Sequence, residues 1–196
     1  MNKEQLFKLL HEFIQQPRIQ STLSTIKECD ISGWEGWLQV EFAHYVQNEV
    51  YNKKKFQFSW YREYKVITKS DHYDESDKNN KYIIPDFWIS SDKNKLEKIE
   101  KYFYLIEFKR SNKGDIHKLM KEDIRKWRSF IDLAKNKRNL VCRNKTYDVY
   151  FNCGVFFVGI DTNGQISLDN LDAFDGLESE VIQDPFYHRI DFLKVK

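Results

Sequence analysis

Midway along this chain an apolar strand, an amphipathic helix and a second apolar strand follow one another, and no other feature restricts the fold as much. The strand is Tyr102 to Arg110. The helix is Asp115 to Ala134, whose Ile116, Leu119, Met120, Ile124, Trp127 and Ile131 recur at helical spacing. The second strand is Val149 to Ile160, rich in Val, Phe and Tyr. A strand that returns to its sheet after a helix does so as a parallel neighbour. Upstream, Phe56 to Ile67 and Tyr82 to Ile89 have the β-branched and aromatic content of strands, and with Tyr102 to Arg110 they make an antiparallel meander. A helix from Trp34 to Val50, opened by Gly33, precedes them. The expected class is α/β, a mixed central sheet flanked by helices, in the order helix, three strands, helix, strand.

With 196 residues the chain is expected to form a single domain, 1–196. Residues 1–30 read as an N-terminal helical appendage in which Leu6, Leu9, Leu10, Phe13 and Ile14 share a face, broken at Pro17 and resumed to Ile26. The core is 34–160. Residues 161–196 form an acidic extension with turn signals and a last strand from Phe186 to Val195. Polar connectors, 68–81 and 90–101, separate the early strands, and a basic loop precedes the late one. The longest apolar run, Val155 to Val158, falls far short of the roughly 20 residues of a membrane span. The first residues lack the pattern of a secretory signal. Three cysteines without a CxxC pair suggest neither a disulfide framework nor a zinc site, so a cytoplasmic protein without a membrane partner is expected.

Charge is unevenly spread. From 101 to 145 there are fourteen Lys and Arg against five Asp and Glu; from 161 to 196 there are three against eight. The basic stretch suits a face that meets phosphates, although a solvated helix has the same composition. The five histidines lack metal-ligand spacing, and Gly154 to Gly159 is not followed by the Lys and Ser or Thr of a phosphate-binding loop.

Three strand residues need a chemical reason. Side chains alternate along Tyr102 to Arg110, so Glu107 and Lys109 share a face with Leu105, while Tyr104, Ile106, Phe108 and Arg110 share the other. A carboxylate and an ammonium in so apolar a strand are costly to bury unpaired. Asp86 interrupts the run Ile83 to Ile89, and Pro85 beside it cannot donate to a ladder, so the strand should bend there. On the first helix Glu41 lies among Trp34, Trp37, Leu38 and Tyr45 and faces the core; Glu35 is at the edge of that face. An ion pair that serves only the fold is the plain alternative for the strand trio.

The arrangement Pro85-Asp86, twenty residues, then Glu107-Phe108-Lys109 resembles the signature of the PD-(D/E)XK nucleases, and Gly33 to Glu41 resembles that family's leading helix. The resemblance covers residues 34 to 160 and implies a restriction-endonuclease-like αβββαβ core. It also implies a Mg²⁺-dependent endonuclease acting on DNA, as in restriction or phage defence, with Mn²⁺ as a substitute ion. Asp86, Glu107 and Glu41 would hold the metal, and Lys109 would complete the catalytic set as base or electrostatic stabiliser. Two carboxylates suit Mg²⁺, which takes oxygen ligands and keeps several waters. Arg110, Lys113, Lys118, Lys121 and Arg125 are the candidate contacts to the nucleic-acid backbone, ahead of Lys53, Lys54 and Lys55. One centre cuts one strand, so double-strand cleavage calls for a homodimer or a partner subunit. The competing reading is a nuclease-like subunit that binds nucleic acid or assembles with others without catalysis.

Overall fold

The computed structural model describes residues 1–53, 58–63, 66–68, 82–90, 103–137, 139–142, 145–148, 153–163, 177–182 and 186–194. The connectors 69–81 and 91–102 lie outside the described residues. Helix α1 (Lys3–Ile14) is opened by Asn2, whose side chain accepts from the Gln5 backbone N–H while the Gln5 side chain accepts from that of Asn2. These reciprocal bonds satisfy two donors that the first turn leaves open. Helix α2 (Pro17–Glu28) begins on proline, which needs no partner for a missing N–H at that position. Helix α3 (Glu35–Tyr45) follows Gly33, whose φ of 75° favours glycine, and runs into a π-helical stretch, Val46–Tyr51.

Among the described residues ten strands follow: β1 (Ser59–Arg62), β2 (Val66–Thr68), β3 (Tyr82–Ile83), β4 (Phe87–Ser90), β5 (Phe103–Ser111), β6 (Asn139–Cys142), β7 (Lys145–Asp148), β8 (Cys153–Asp161), β9 (Glu178–Ile182) and β10 (Tyr187–Lys194). Helix α4 (Ile116–Lys137) links β5 to β6. The main sheet has six strands in the order β1-β4-β5-β8-β10-β9, and a smaller sheet has the order β3-β2-β6-β7. The meander β1-β4-β5 is antiparallel and β8 lies parallel to β5, with Glu107 opposite Phe157. The remaining pairs of the main sheet, β8 with β10 and β10 with β9, are antiparallel.

Alternation along the strands divides the interior in two. Ile89, Ile106, Phe108, Phe156, Val158 and Ile190 bury with α1, α2 and α3. On the other face Trp88, Leu105, Val155 and Phe157 bury with Ile116, Met120, Ile124 and Trp127 of α4. The fold is therefore mixed α/β, with a mixed six-stranded sheet between helices. Among the described residues no helix is long and apolar enough to cross a membrane.

Four features differ from the sequence reading. The run Tyr82 to Ile89 is two strands in two sheets, because the chain leaves the small sheet at Ile83 and enters the main one at Phe87 through Ile84, Pro85 and Asp86. Residues 139–142 and 145–148, read as part of a basic loop, pair antiparallel as β6 and β7. The first thirty residues are no appendage: Leu6, Leu10, Phe13, Ile14 and Leu23 are fully buried in the same cluster as the sheet. Nor is the C-terminal segment a mere extension, since β10 carries on the sheet beside β8 along its whole length.

Candidate functional site

Asp86 stands where the chain changes sheets. Its carboxylate replaces the missing ladder at that bend: Oδ2 accepts the backbone N–H of Phe108 at 2.6 Å, and Oδ1 accepts Nε2 of Gln39 from α3 at 2.7 Å. Its own carbonyl accepts the Glu63 N–H at 3.0 Å, continuing the pairing of β1 with β4. The side chain is thereby fixed over the part of β5 that carries Glu107 and Lys109. Glu107 is buried, and its Oε1 accepts Nε1–H of Trp127 in α4 at 2.8 Å. Lys109 reaches Asp123 of α4, with Nζ 3.1 Å from Oδ2, and lies 3.8 Å from Oε1 of Glu35 at the start of α3.

Helix α4 thus holds both β5 side chains. Trp127 and Asp123 are four apart on a helix, and Glu107 and Lys109 two apart on a strand, so each pair projects from one face. Charge and burial set the protonation of the group. Burial first, and then the nearby Asp86 charge, push the Glu107 carboxyl up to about 8. Burial raises Asp86 to about 6 against the opposing Phe108 N–H bond, and Glu35 and Asp123 add to the rise. Desolvation acts to lower the Lys109 value, yet the surrounding acids, Asp123 foremost, raise it overall. The lysine stays an ammonium.

Glu41 is not part of this group. It lies on the side of α3 away from Gln39, where its Oε1 takes a 2.6 Å bond from Nη2 of Arg18 in α2. A buried carboxylate was expected there, but its partner is a structural arginine; Glu35 is the α3 acid that approaches Lys109. The proposed backbone contacts are scattered too. Arg110 is half-buried on the sheet face opposite Lys109, and Lys113 is exposed just past β5. Lys118, Lys121 and Arg125 are exposed on α4, and at about 3.6 residues per turn they come round to the flank opposite Asp123. Lys54 and Lys55 lie outside the described residues.

Gln39, Asp123 and Trp127 did not emerge from the sequence reading. Trp127 looked like core because it lies in the apolar stripe of α4, and an indole N–H in such a stripe is itself a sign that a buried acceptor awaits it. The spacing Glu35 to Gln39 and Asp123 to Trp127, four residues in each case, was the available signal.

Asp86 lies close enough to Glu107 for its charge to raise that carboxyl, and among the described residues no group of three His, Cys, Asp or Glu side chains is placed to hold a metal ion. A buried carboxyl, Glu107, whose proton affinity is raised by the charge of Asp86 beside it, makes with that neighbour a donor set that a divalent cation relieves. Mg²⁺ fits it, since this ion binds through one or two carboxylates and completes its shell with water and substrate phosphate. No family model, no curated protein and no solved structure matches the chain.

Proposed function

We propose that the chain is a Mg²⁺-dependent nuclease that hydrolyses phosphodiester bonds in DNA. The observation that carries the reading is the bond from the Phe108 N–H of β5 to Asp86, which sets this carboxylate beside Glu107 and Lys109, so that its charge acts on Glu107 and that of Lys109 acts on it. Further support comes from the element order α3, β1, β4, β5, α4, β8, which is the succession that the PD-(D/E)XK resemblance implies. Asp86 and Glu107 would hold the ion. When bound, Mg²⁺ supplies charge that polarises a phosphate oxygen and acidifies water.

The protein's own groups do the rest. Phe108 N–H and Gln39 lock the Asp86 carboxylate, so it need not reorganise when the cation arrives. Trp127 does the same for Glu107. Lys109, held charged between Asp123 and Glu35, is an electrostatic stabiliser of the negative charge that builds on phosphate oxygens, not a general base, which would need a lowered pKa.

Supercoiled plasmid incubated with Mg²⁺, Mn²⁺ or EDTA tests the reading. The wild-type chain should convert it in the two metals and not in EDTA. Asp86→Asn, Glu107→Gln and Lys109→Ala should each reduce the rate by roughly 10²-fold or more, while Glu41→Gln leaves it near wild type. Uncut plasmid in every condition, or full activity in all three variants, would refute the proposal.

A further inference from the structure

The candidate site has four acids, Asp86, Glu107, Glu35 and Asp123, around a single described lysine. A divalent ion offsets two of those charges, and a phosphodiester brings another negative charge. A second cation beside the acids is therefore of consequence, and Arg62 is placed to be one. It ends β1, opposite Phe87 and thus one residue from Asp86 in register. Its Nη2 donates to Oε1 of Gln39 at 2.9 Å, and Gln39 Nε2 donates in turn to Asp86 Oδ1 at 2.7 Å. Buried Gln39 is thereby held with its amide one way round: oxygen toward the arginine, nitrogen toward the carboxylate.

Two further facts set Arg62 apart from an ordinary surface arginine. The next residue, Glu63, has a φ of 49°, uncommon for a non-glycine, and turns the chain out of β1 beside Asp86. Its N–H bonds to the Asp86 carbonyl and its carboxylate accepts from the same Arg62 Nη2 at 2.9 Å. The bonds that Arg62 gives to Gln39 and Glu63 both leave from Nη2. A guanidinium carries five donors in a planar fork suited to phosphate oxygens, and the side chain is 37% exposed.

We propose that Arg62 binds a non-bridging phosphate oxygen of the nucleic-acid backbone next to the bond that is cut, and that Gln39 is the positioning residue that couples this contact to Asp86. The inference rests on the nuclease reading and extends it to substrate binding. An arginine that serves only to pair with Glu63 would leave binding and KM untouched.

The test uses the full chain, a fluorescent DNA duplex in EDTA for binding, and plasmid or duplex cleavage in Mg²⁺ for rates. Arg62→Ala should weaken binding roughly tenfold and lower the slope of log affinity against log salt by about 1. KM should rise by a similar factor with kcat changed far less, and Arg62→Lys should recover part of the loss, since an ammonium keeps the charge without the fork. Gln39→Leu should reproduce the rise in KM and add a fall in kcat through Asp86. The double variant should be no worse in KM than either single one, because the two act as a unit; additive losses would mean that Gln39 is merely structural and would overturn the coupling. Wild-type binding and cleavage together with an unchanged Arg62→Ala would overturn the role of Arg62 alone. A wild-type chain that neither binds nor cuts would overturn the nuclease reading and this inference with it.

Discussion

Glu107 is the residue whose cost is easiest to measure. It is buried and shares its surroundings with Asp86, so without a cation the folded chain holds its proton up to about 8, whereas the unfolded chain releases it in the usual carboxylate range. Between those limits the native state binds the extra proton, and stability must fall as pH rises. Asp86 acts in the same direction over a narrower window, to about 6. In EDTA the Tm is expected to decline from pH 5 to pH 8. Glu107→Gln should flatten that decline and exceed the wild type at pH 8, by on the order of 1 kcal/mol per pH unit of displaced titration. Thermal unfolding across the range measures it; a level wild-type profile would contradict the burial assigned to this pair. Asp86, Glu107 and Lys109 were legible in the sequence because a charge inside an apolar strand demands a partner. Helical periodicity ranks Glu41 above Glu35, and the structure reverses that order. Both lie near the buried face of α3, and what distinguishes them is a contact with Arg18, 23 residues away, which no local pattern encodes.

At the scale of elements, the site is a matter of how closely α4 lies on β5 and β8. Gly159 of β8 makes that approach possible: a Cβ there would fall 2.2 Å from Met120 Sδ and 2.9 Å from Ile116 Cγ1. Three residues further along α4 is Asp123, and then Trp127, so whatever lifts the helix loosens Lys109 and Glu107 together. Gly159→Ala is expected to cost about 1–3 kcal/mol in urea unfolding and to reduce cleavage as well. Met120→Ala, destabilising by itself, should restore part of both losses when combined with it, since it vacates the space the new methyl needs. If the double variant shows the plain sum of the two losses, Met120 is not the obstacle. The strand, helix and parallel strand at the centre were readable because periodicity and connection rules leave few alternatives. Pro85 marked a bend, but whether the chain bulges or passes to another sheet depends on which strands compete for its edges. That competition involves β2, whose Val66 pairs on one side with Ile83 and on the other with Cys142 of β6, 76 residues further along the chain.

For the molecule as a whole, the N-terminal helices bear on the site through aromatic rings packed edge to face. Phe13 of α1 meets Phe42 of α3 edge-on at 5.0 Å, Phe42 meets Phe87 at 4.9 Å and Phe108 at 5.2 Å, and Phe87 lies 6.0 Å from Phe108. Phe87 follows Asp86, and Phe108 lies between Glu107 and Lys109, supplying the N–H that Asp86 accepts. The apolar stripe of α1 announced that one face is buried, but an amphipathic pattern does not name what buries it, and the short break at Pro17 invited the reading of a separate attachment. The rings make the opposite claim testable. Phe13→Ala should cost roughly 3–5 kcal/mol, and the chain begun at residue 31 should lose cooperative unfolding, because α1 and α2 supply Leu6, Leu10, Ile14 and Leu23 to the cluster that backs β4 and β5. Circular dichroism during urea titration reads both. Unfolding of the shortened chain in one sharp transition at the wild-type midpoint would mean that the sheet stands without these helices. In that case the aromatic cluster would have no part in holding Asp86 against β5.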